Sequence, residues 1–307
     1  ITSGGTIHNV AGTISNNNGT ITNSGTLTNT GGTISNFYSI TNNLTGHINN
    51  NSGTITNSGT ITNNGTIANN DIIIISGTII NNLGGTITNQ GTITNSGTVT
   101  NNGDFKHIFP TATYSGTGTL TNTGSIGLLG TVSANTNLST LGYPINSTSF
   151  VVINPDFLNI NPGITLTIPT GYHLTNLGTI TNSGTLSYSG TFINWETLNV
   201  SNSGTLSISG SNFINKIFSI ITNNGTITVS NTGIGTIGIE NGGTITNSGI
   251  ITVSNTGNNS TGIRNAGSTS TLTNNSVGLI TVSNTGIGTT GILNNIGNLI
   301  TNSGTIT

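Results

Sequence analysis

Apolar and polar residues alternate along the chain in short units of regular spacing. The unit Gly-Thr-Ile-Thr-Asn-Ser/Asn occurs at 19–24, 53–58, 59–64 and 91–96, with one aliphatic residue between two threonines. Because side chains of an extended segment alternate between its two faces, the aliphatic residue points inward and both threonines point outward. Gly and Asn, which adopt left-handed backbone conformations at low cost, then form a corner. The pattern predicts short strands joined by tight corners.

Every third aliphatic position recurs after about 20 residues. Ile7, Leu27, Ile48, Ile67 and Ile87 are separated by 20, 21, 19 and 20 residues. Repeats of this length are typical of solenoids, whose coils bury their apolar rows only by stacking on one another. We therefore predict an all-β fold, a parallel β-solenoid (β-helix) with three-sided coils of about 20 residues. Isoleucines stack inside, asparagines stack at the corners and threonines cover the outer faces. The predicted buried rows include Ile21, Ile34, Ile55, Ile61, Ile93, Ile180 and Ile245.

The repeat is interrupted in the middle of the chain. Over 104–162 the six-residue unit fades, and four of the five prolines occur there together with several aromatic residues. Proline cannot donate a hydrogen bond into a central ladder, so this interval is predicted to be a non-repetitive, β-rich divider or cap module. The chain then comprises an N-terminal β-solenoid over 1–103, the module over 104–162 and a C-terminal β-solenoid over 163–307.

The C-terminal part uses a longer repeat, Ile-Thr-Val-Ser-Asn-Thr-Gly, which begins at residues 227, 251 and 280. A segment Thr-Gly-Ile-x-Asn or a close variant follows each copy, and its variable position holds Glu240, Arg264 and Leu293 in turn. Equivalent positions of neighbouring coils stack in a solenoid, which predicts an exposed ion pair between Glu240 and Arg264 across two coils.

The composition excludes several classes of partner. Only 3% of the 307 residues are charged, the net charge is -2, and there is no Cys and no Met. Such a surface offers no electrostatic attraction for nucleic acid or an anionic membrane, and no apolar run approaches the roughly 18 residues of a membrane span. The lack of Cys excludes disulfides and thiolate metal sites. Because the chain opens in mid-pattern at Ile1, we expect a processed mature form or an internal segment.

The titratable residues do not form a motif for catalysis, so we expect no enzymatic activity, no metal and no cofactor. His8 and His47 replace outward threonines of the repeat and are interpreted as surface substitutions. Asp104, Lys106 and His107 form a local cluster, for which a solvated cap face is favoured over a contact site. The remaining acidic residues and histidine are Asp71, Asp156, Glu196, Glu240 and His173.

An aromatic cluster stands apart from the repeats. It comprises Tyr188, Phe192, Trp195 and Phe213. One interpretation is a bulky insertion into the core or a contact at the end of the stack. The other is an exposed aromatic contact site on which sugar rings stack.

Two segments carry a resemblance to a known group. The sequences LTIPTGYHLTNLGTITNSGTL at 166–186 and GTITVSNTG at 225–233 resemble repeats of bacterial β-helical surface proteins, namely autotransporter passengers and filamentous-haemagglutinin-like adhesins. The resemblance implies export from the cell, so that the protein is secreted and is displayed on a cell surface or assembled outside it.

The leading functional hypothesis is a structural subunit of an extracellular filament, sheath or matrix fibre, such as a biofilm matrix. Solenoid ends are unpaired strand edges to which a second copy of the chain adds head to tail, giving a homopolymer. The assembly candidates are Ile1, Thr2, Thr305, Ile306 and Thr307. The alternative is a surface adhesin that binds glycans or neighbouring cells. A less favoured hypothesis is ice binding by outward threonines spaced about 6.7 Å along a strand and about 4.8 Å between coils.

Overall fold

The computed structural model describes residues 1–138, 149–210 and 212–307. All regular structure in these residues is β-strand. The contacts divide the described residues into two units, one of residues 1–129 and one of residues 130–138, 149–210 and 212–307. Both units are stacks of parallel strands, and the predicted all-β solenoid is confirmed.

Each repeat unit forms a four-residue strand, as in β7 (Thr60–Asn63). Thr60 and Thr62 are half-buried on the outer face, whereas Ile61 and Asn63 are buried inside. The β-branched residues suit the extended backbone, and alternation sends every second side chain to the core. Asparagine is therefore the last inward residue of the strand rather than a corner residue, which corrects the predicted placement.

Strands of successive coils pair in parallel with the predicted register. Ile7 pairs with Leu27, which pairs with Ile48, and this pairs in turn with Ile67 and then Ile87. These five residues are the ones whose spacing indicated a coil of about 20 residues. The apolar spacing therefore set the length of the coil correctly.

The first unit has three faces, each a ladder of parallel strands. The first ladder comprises β1 (Thr6–Asn9), β4 (Thr26–Asn36), β6 (His47–Asn57), β8 (Thr66–Asn69), β11 (Thr86–Asn89) and β14 (Asp104–Phe109), which pairs with β17 (Ser125–Val132). The second comprises β2 (Thr13–Asn16), the C-terminal parts of β4 and β6, β9 (Ile72–Ile75), β12 (Thr92–Asn95) and β15 (Thr113–Ser115). The third comprises β3 (Thr20–Asn23), β5 (Ser39–Asn42), β7, β10 (Thr78–Asn81), β13 (Thr98–Asn101) and β16 (Thr119–Asn122).

The second unit repeats this three-sided arrangement. Its first ladder comprises β19 (Ser149–Ile160), β21 (His173–Asn182), β23 (Phe192–Asn194), β26 (Phe213–Asn215), β29 (Ile237–Asn241), β32 (Thr261–Asn265) and β35 (Thr290–Asn294). Its second comprises the C-terminal parts of β19 and β21, β24 (Thr197–Val200), β27 (Ile220–Asn223), β30 (Thr244–Asn247), β33 (Thr271–Asn274) and β36 (Leu299–Asn302). Its third comprises β18 (Thr136–Asn137), β20 (Thr165–Ile168), β22 (Thr185–Ser189), β25 (Thr205–Ser209), β28 (Thr226–Asn231), β31 (Ile250–Asn255), β34 (Leu279–Asn284) and β37 (Thr305–Ile306).

The predicted apolar rows form the core. Ile34, Ile55, Ile93 and Ile180 are almost fully buried, as are the other predicted members of these rows, with one exception. Each such side chain contributes roughly 1.5–3 kcal/mol relative to an exposed position. The exception is Ile21, which is half-buried because β3 is the first strand of its ladder.

Part of the interval 104–162 lies within the ladders of the first unit. Strands β14, β15 and β16 pair in register with the coil before them. Phe105 stacks on Ile87 and Tyr114 stacks on Ile93, so aromatic rings take over the aliphatic rows. Residues 139–148 of the interval lie outside the described residues. The division of the chain into an N-terminal solenoid over 1–103, a module over 104–162 and a C-terminal solenoid over 163–307 stays a prediction.

Candidate functional sites on the solenoid

Buried asparagines form continuous ladders of side-chain hydrogen bonds. On the third face of the first unit, each Nδ2 donates to the Oδ1 of the next coil over 2.6–2.8 Å. The members of this ladder are Asn23, Asn42, Asn63, Asn81, Asn101 and Asn122. Since an unpaired buried amide is costly, the ladder satisfies the polar groups that the repeat places in the core.

The ladder has a direction. Besides Asn81, Asn63 Nδ2 approaches the carbonyl oxygens of Gly65 at 3.0 Å and Thr86 at 3.1 Å. Carbonyl oxygens only accept, so the NH2 group must be on this side and Oδ1 on the side of Asn42. Every coil of the ladder therefore presents donors to the following coil and acceptors to the preceding one.

Where one coil stacks on another, as at Gly91 and Gly97, the glycine of the repeat unit is required by close backbone approach. A Cβ atom at Gly97 would lie 2.0 Å from the carbonyl oxygen of Gly77, and one at Gly91 would lie 2.1 Å from that of Asp71. Neither glycine has a positive φ; the left-handed conformation occurs instead at other corners, such as Gly84 with φ of 85°. The predicted role of glycine as a left-handed corner is thus wrong for the repeat unit at these two positions.

At the first coil, the assembly candidate Ile1 lies against β3, and the carbonyl of the candidate Thr2 accepts from Gly5 N over 2.9 Å. The Ile1 amino group donates to Thr22 O over 2.6 Å, and Ser24 N donates to Ile1 O over 2.8 Å. Strand β1 pairs on one side only among the described strands. As a result Ile7 is 44% exposed, whereas its equivalent Leu27 in the next coil is 1% exposed.

The last coil of the second unit is open in the same way. Ile306 stacks on Ile280 and is half-buried, whereas Ile280 is fully buried. Thr307 extends the pairing, since its N–H donates to Ile280 O over 2.9 Å and its carbonyl accepts from Val282 N over 2.9 Å. Thr305 is exposed. The outer edge of β37 has no partner among the described residues.

The aromatic cluster divides between the core and the surface. Tyr188, Phe192 and Phe213 are almost fully buried, and the rings of Phe192 and Phe213 stack with centroids 5.2 Å apart. Burial raises the pKa of Tyr188 to about 12. Trp195 alone of the four is exposed, and Lys216 Nζ lies 5.3 Å from the centroid of its ring. The core interpretation therefore describes three of these residues, and a four-ring surface platform is not formed.

The predicted ion pair is formed. Glu240 and Arg264 are in register on β29 and β32, and Oε1 and Nη2 are 2.8 Å apart. Leu293 occupies the next position of the same column, opposite Arg264. The two charged side chains are each about one-third exposed, so the pair lies at the surface.

His107 is buried, contrary to the predicted solvated face. Asp104 and Lys106 lie on the outer face of β14, whereas His107 points inward with Phe105 and Phe109. Its ring makes an edge contact with Phe109 at a centroid distance of 4.9 Å. Burial lowers the pKa of His107 to about 4.

The other titratable side chains are scattered. Within residues 1–138, 149–210 and 212–307, no group of three or more His, Cys, Asp or Glu side chains is placed to hold a metal ion. A shallow surface groove of about 250 Å³ is lined by Thr170, Ser189, Gly190, Ser209 and Gly210, none of which is titratable near neutral pH. No helix that could cross a membrane occurs in the part of the chain that the structure describes.

The stacked three-sided coils and inward ladders define the chain as a parallel β-solenoid. No family model matches it, and no curated protein matches it. Among solved structures, the crystal structure of a TibC-catalyzed hyper-glycosylated TibA55-350 fragment matches over 98% of each chain, with 18% identity and a TM-score of 0.30. The fold assignment rests on the ladders themselves.

Proposed function

We propose that the chain is a structural, non-enzymatic subunit of an extracellular filament, sheath or matrix fibre, in which solenoid ends of separate copies join head to tail. The observation that carries this proposal is the exposed core at the open strand edges. Ile7 at one edge and Ile306 at another are accessible, although their equivalents one coil inward are buried. When a second copy covers the open end of a solenoid, apolar surface is removed from water and the free backbone groups of the edge strands are paired.

The direction of the asparagine ladders favours head-to-tail over head-to-head contact. Asn16 in the first coil directs Oδ1 toward the coil position before it, because its Nδ2 donates to Asn36 Oδ1. Asn302 in the last coil accepts from Asn274 and directs its own Nδ2 toward Gly304 O, on the side of the coil position after it. A head-to-tail contact places donors opposite acceptors, which is the heterologous geometry of an open fibre. A head-to-head contact places acceptors opposite acceptors.

The neutral surface supports assembly under extracellular conditions. With a net charge of -2 on 307 residues, copies of the chain repel one another little. The contact would be made by backbone hydrogen bonds and apolar side chains rather than by charged groups. Because salt screens charges, it should change the stability of the assembly little.

The test is electron microscopy and light scattering of the purified chain. We expect unbranched fibres that persist at high salt, and we expect Ile306→Lys to abolish them by placing a charge in the joint. Thr100→Lys is the matched control, because Thr100 faces outward from β13 in the middle of a ladder and should leave the fibres intact. A monomer that remains monodisperse at every concentration, or fibres unaffected by Ile306→Lys, would overturn the proposal.

A further inference from the structure

Four exposed apolar side chains form a ridge along one corner of the second unit. This corner ridge consists of Leu177, Trp195, Ile217 and Phe218. Leu177 and Trp195 directly follow Asn176 and Asn194, which pair in register. Ile217 and Phe218 lie two and three residues after Asn215, the next member of that column, so all four side chains belong to the same corner of three successive coils. Their exposed fractions are 38%, 44%, 40% and 85% respectively. Exposed apolar side chains grouped at one corner, unlike scattered ones, indicate an interaction surface.

Phe218 has a backbone conformation that favours glycine. Its φ is 66°, in the left-handed region, which is unfavourable for a residue with a side chain. The corner between β35 and β36 has the same length, and there Gly297 occupies the equivalent position with φ of 87°. The phenyl ring is too exposed to offset this cost by burial in the core. Strain at an exposed position, held in place by the surrounding fold, is typical of a residue that serves an intermolecular contact.

Polar groups border the aromatic surface. The Lys216 ammonium lies over one face of the Trp195 indole, and Glu196 beside it is exposed. The corner after β23, which carries Trp195 and Glu196, is joined to the corner after β26 by backbone hydrogen bonds. One of them runs from Ile220 N to Glu196 O over 2.9 Å. A carboxylate accepts and an ammonium donates, so both types of hydrogen-bonding group flank the rings.

The size of the ridge favours a small ligand over a protein. An aromatic side chain offers 150–250 Å² when fully exposed, so the ridge presents on the order of 400 Å², about half of what one partner contributes to a standard protein interface. The low charge of the chain gives no attraction for a polyanion. We infer that the corner ridge binds a neutral oligosaccharide, whose C–H faces stack on Phe218 and on the exposed part of Trp195 while its hydroxyls bond to Glu196 and Lys216.

Trp195 provides the readout, because it is the single tryptophan of the chain. The chain is titrated with soluble neutral oligomers of β-linked glucose, β-linked N-acetylglucosamine and α-linked mannose, and the indole fluorescence is followed. We expect a saturable change with at least one of these probes. Phe218→Ala should weaken that binding about three- to tenfold, the loss expected for one aromatic contact.

Phe37→Ala is the matched control, because Phe37 is also an exposed phenylalanine but lies in the first unit. It should bind like the unaltered chain, and circular dichroism checks that both variants fold. The inference is overturned if none of the three probes changes the fluorescence, or if Phe218→Ala leaves the affinity unchanged. A fluorescence change on dilution of the protein alone would also overturn it, since the ridge would then contact a second copy.

Discussion

Asn89 and His107 lie in register on neighbouring coils, and the imidazole occupies the position that asparagine holds in the coils before it. The ladder that runs through Asn69 to Asn89 thus ends on a titratable group. Burial disfavours the charged imidazolium, which makes the neutral form part of the folded core.

Acid is therefore expected to destabilise the first unit through His107. Its pKa is about 4 when folded and 6.5 in the reference state, so the unfolded chain binds the proton first as the pH falls. Stability is complete above about pH 6.5 and decreases toward pH 4, by at most about 3 kcal/mol. Denaturant unfolding at both pH values measures this. His107→Asn should flatten the pH dependence, and the control His47→Thr, at an exposed position, should leave it unchanged.

Removing one amide from an asparagine ladder should be strongly destabilising. Asn63→Ala leaves the acceptors Gly65 O, Thr86 O and Asn81 Oδ1 without this donor inside the core. We expect a loss of roughly 2–4 kcal/mol in the free energy of unfolding, measured by urea denaturation. Thr62→Ala, one residue earlier on the outer face, should change it by less than about 0.5 kcal/mol. Equal effects of the two substitutions would contradict a structural role for the ladder.

The Glu240–Arg264 pair should contribute little to stability. Both groups are partly solvated, and exposed pairs are worth about 0–1 kcal/mol. A double-mutant cycle with Glu240→Gln and Arg264→Leu measures the coupling, which should decrease at high salt. Arg264→Leu also reproduces the leucine found at position 293 of the same column. A coupling well above this range would show that the pair does more than fix the register.

The residues that could be predicted from sequence are those governed by periodicity. The pairing of Ile7 with Leu27, and of Glu240 with Arg264, follows from counting along the repeats, because parallel stacking brings equivalent positions together. The prediction of a solvated face is wrong for His107: its charged neighbours favour such a face, but Phe105, His107 and Phe109 alternate with outward residues and all three are buried.

Other features depend on distances that a sequence does not contain. Position 97 requires glycine because the carbonyl oxygen of Gly77, one coil earlier, leaves no room for a Cβ atom. The sequence does not show that Trp195 is exposed while its aromatic neighbours are buried. Trp195 lies just past the end of β23, where alternation no longer specifies whether a side chain points inward or outward.

The left-handed corner at Phe218 gives a final prediction, in which stability and binding change in opposite directions. Phe218→Gly removes the steric conflict of a side chain at positive φ, and part of this gain is offset by the greater freedom of glycine in the unfolded chain. The net effect should be a stabilisation of about 0.5–1 kcal/mol, together with weaker oligosaccharide binding. Phe218→Ala keeps the unfavourable φ and removes the ring, so it should weaken binding without raising stability. Thermal unfolding of the two variants, followed beside Trp195 fluorescence titrations, separates these effects. If Phe218→Gly lowers the unfolding temperature, the phenyl ring stabilises the corner. The positive φ of Phe218 would then not be a strained conformation kept for ligand binding.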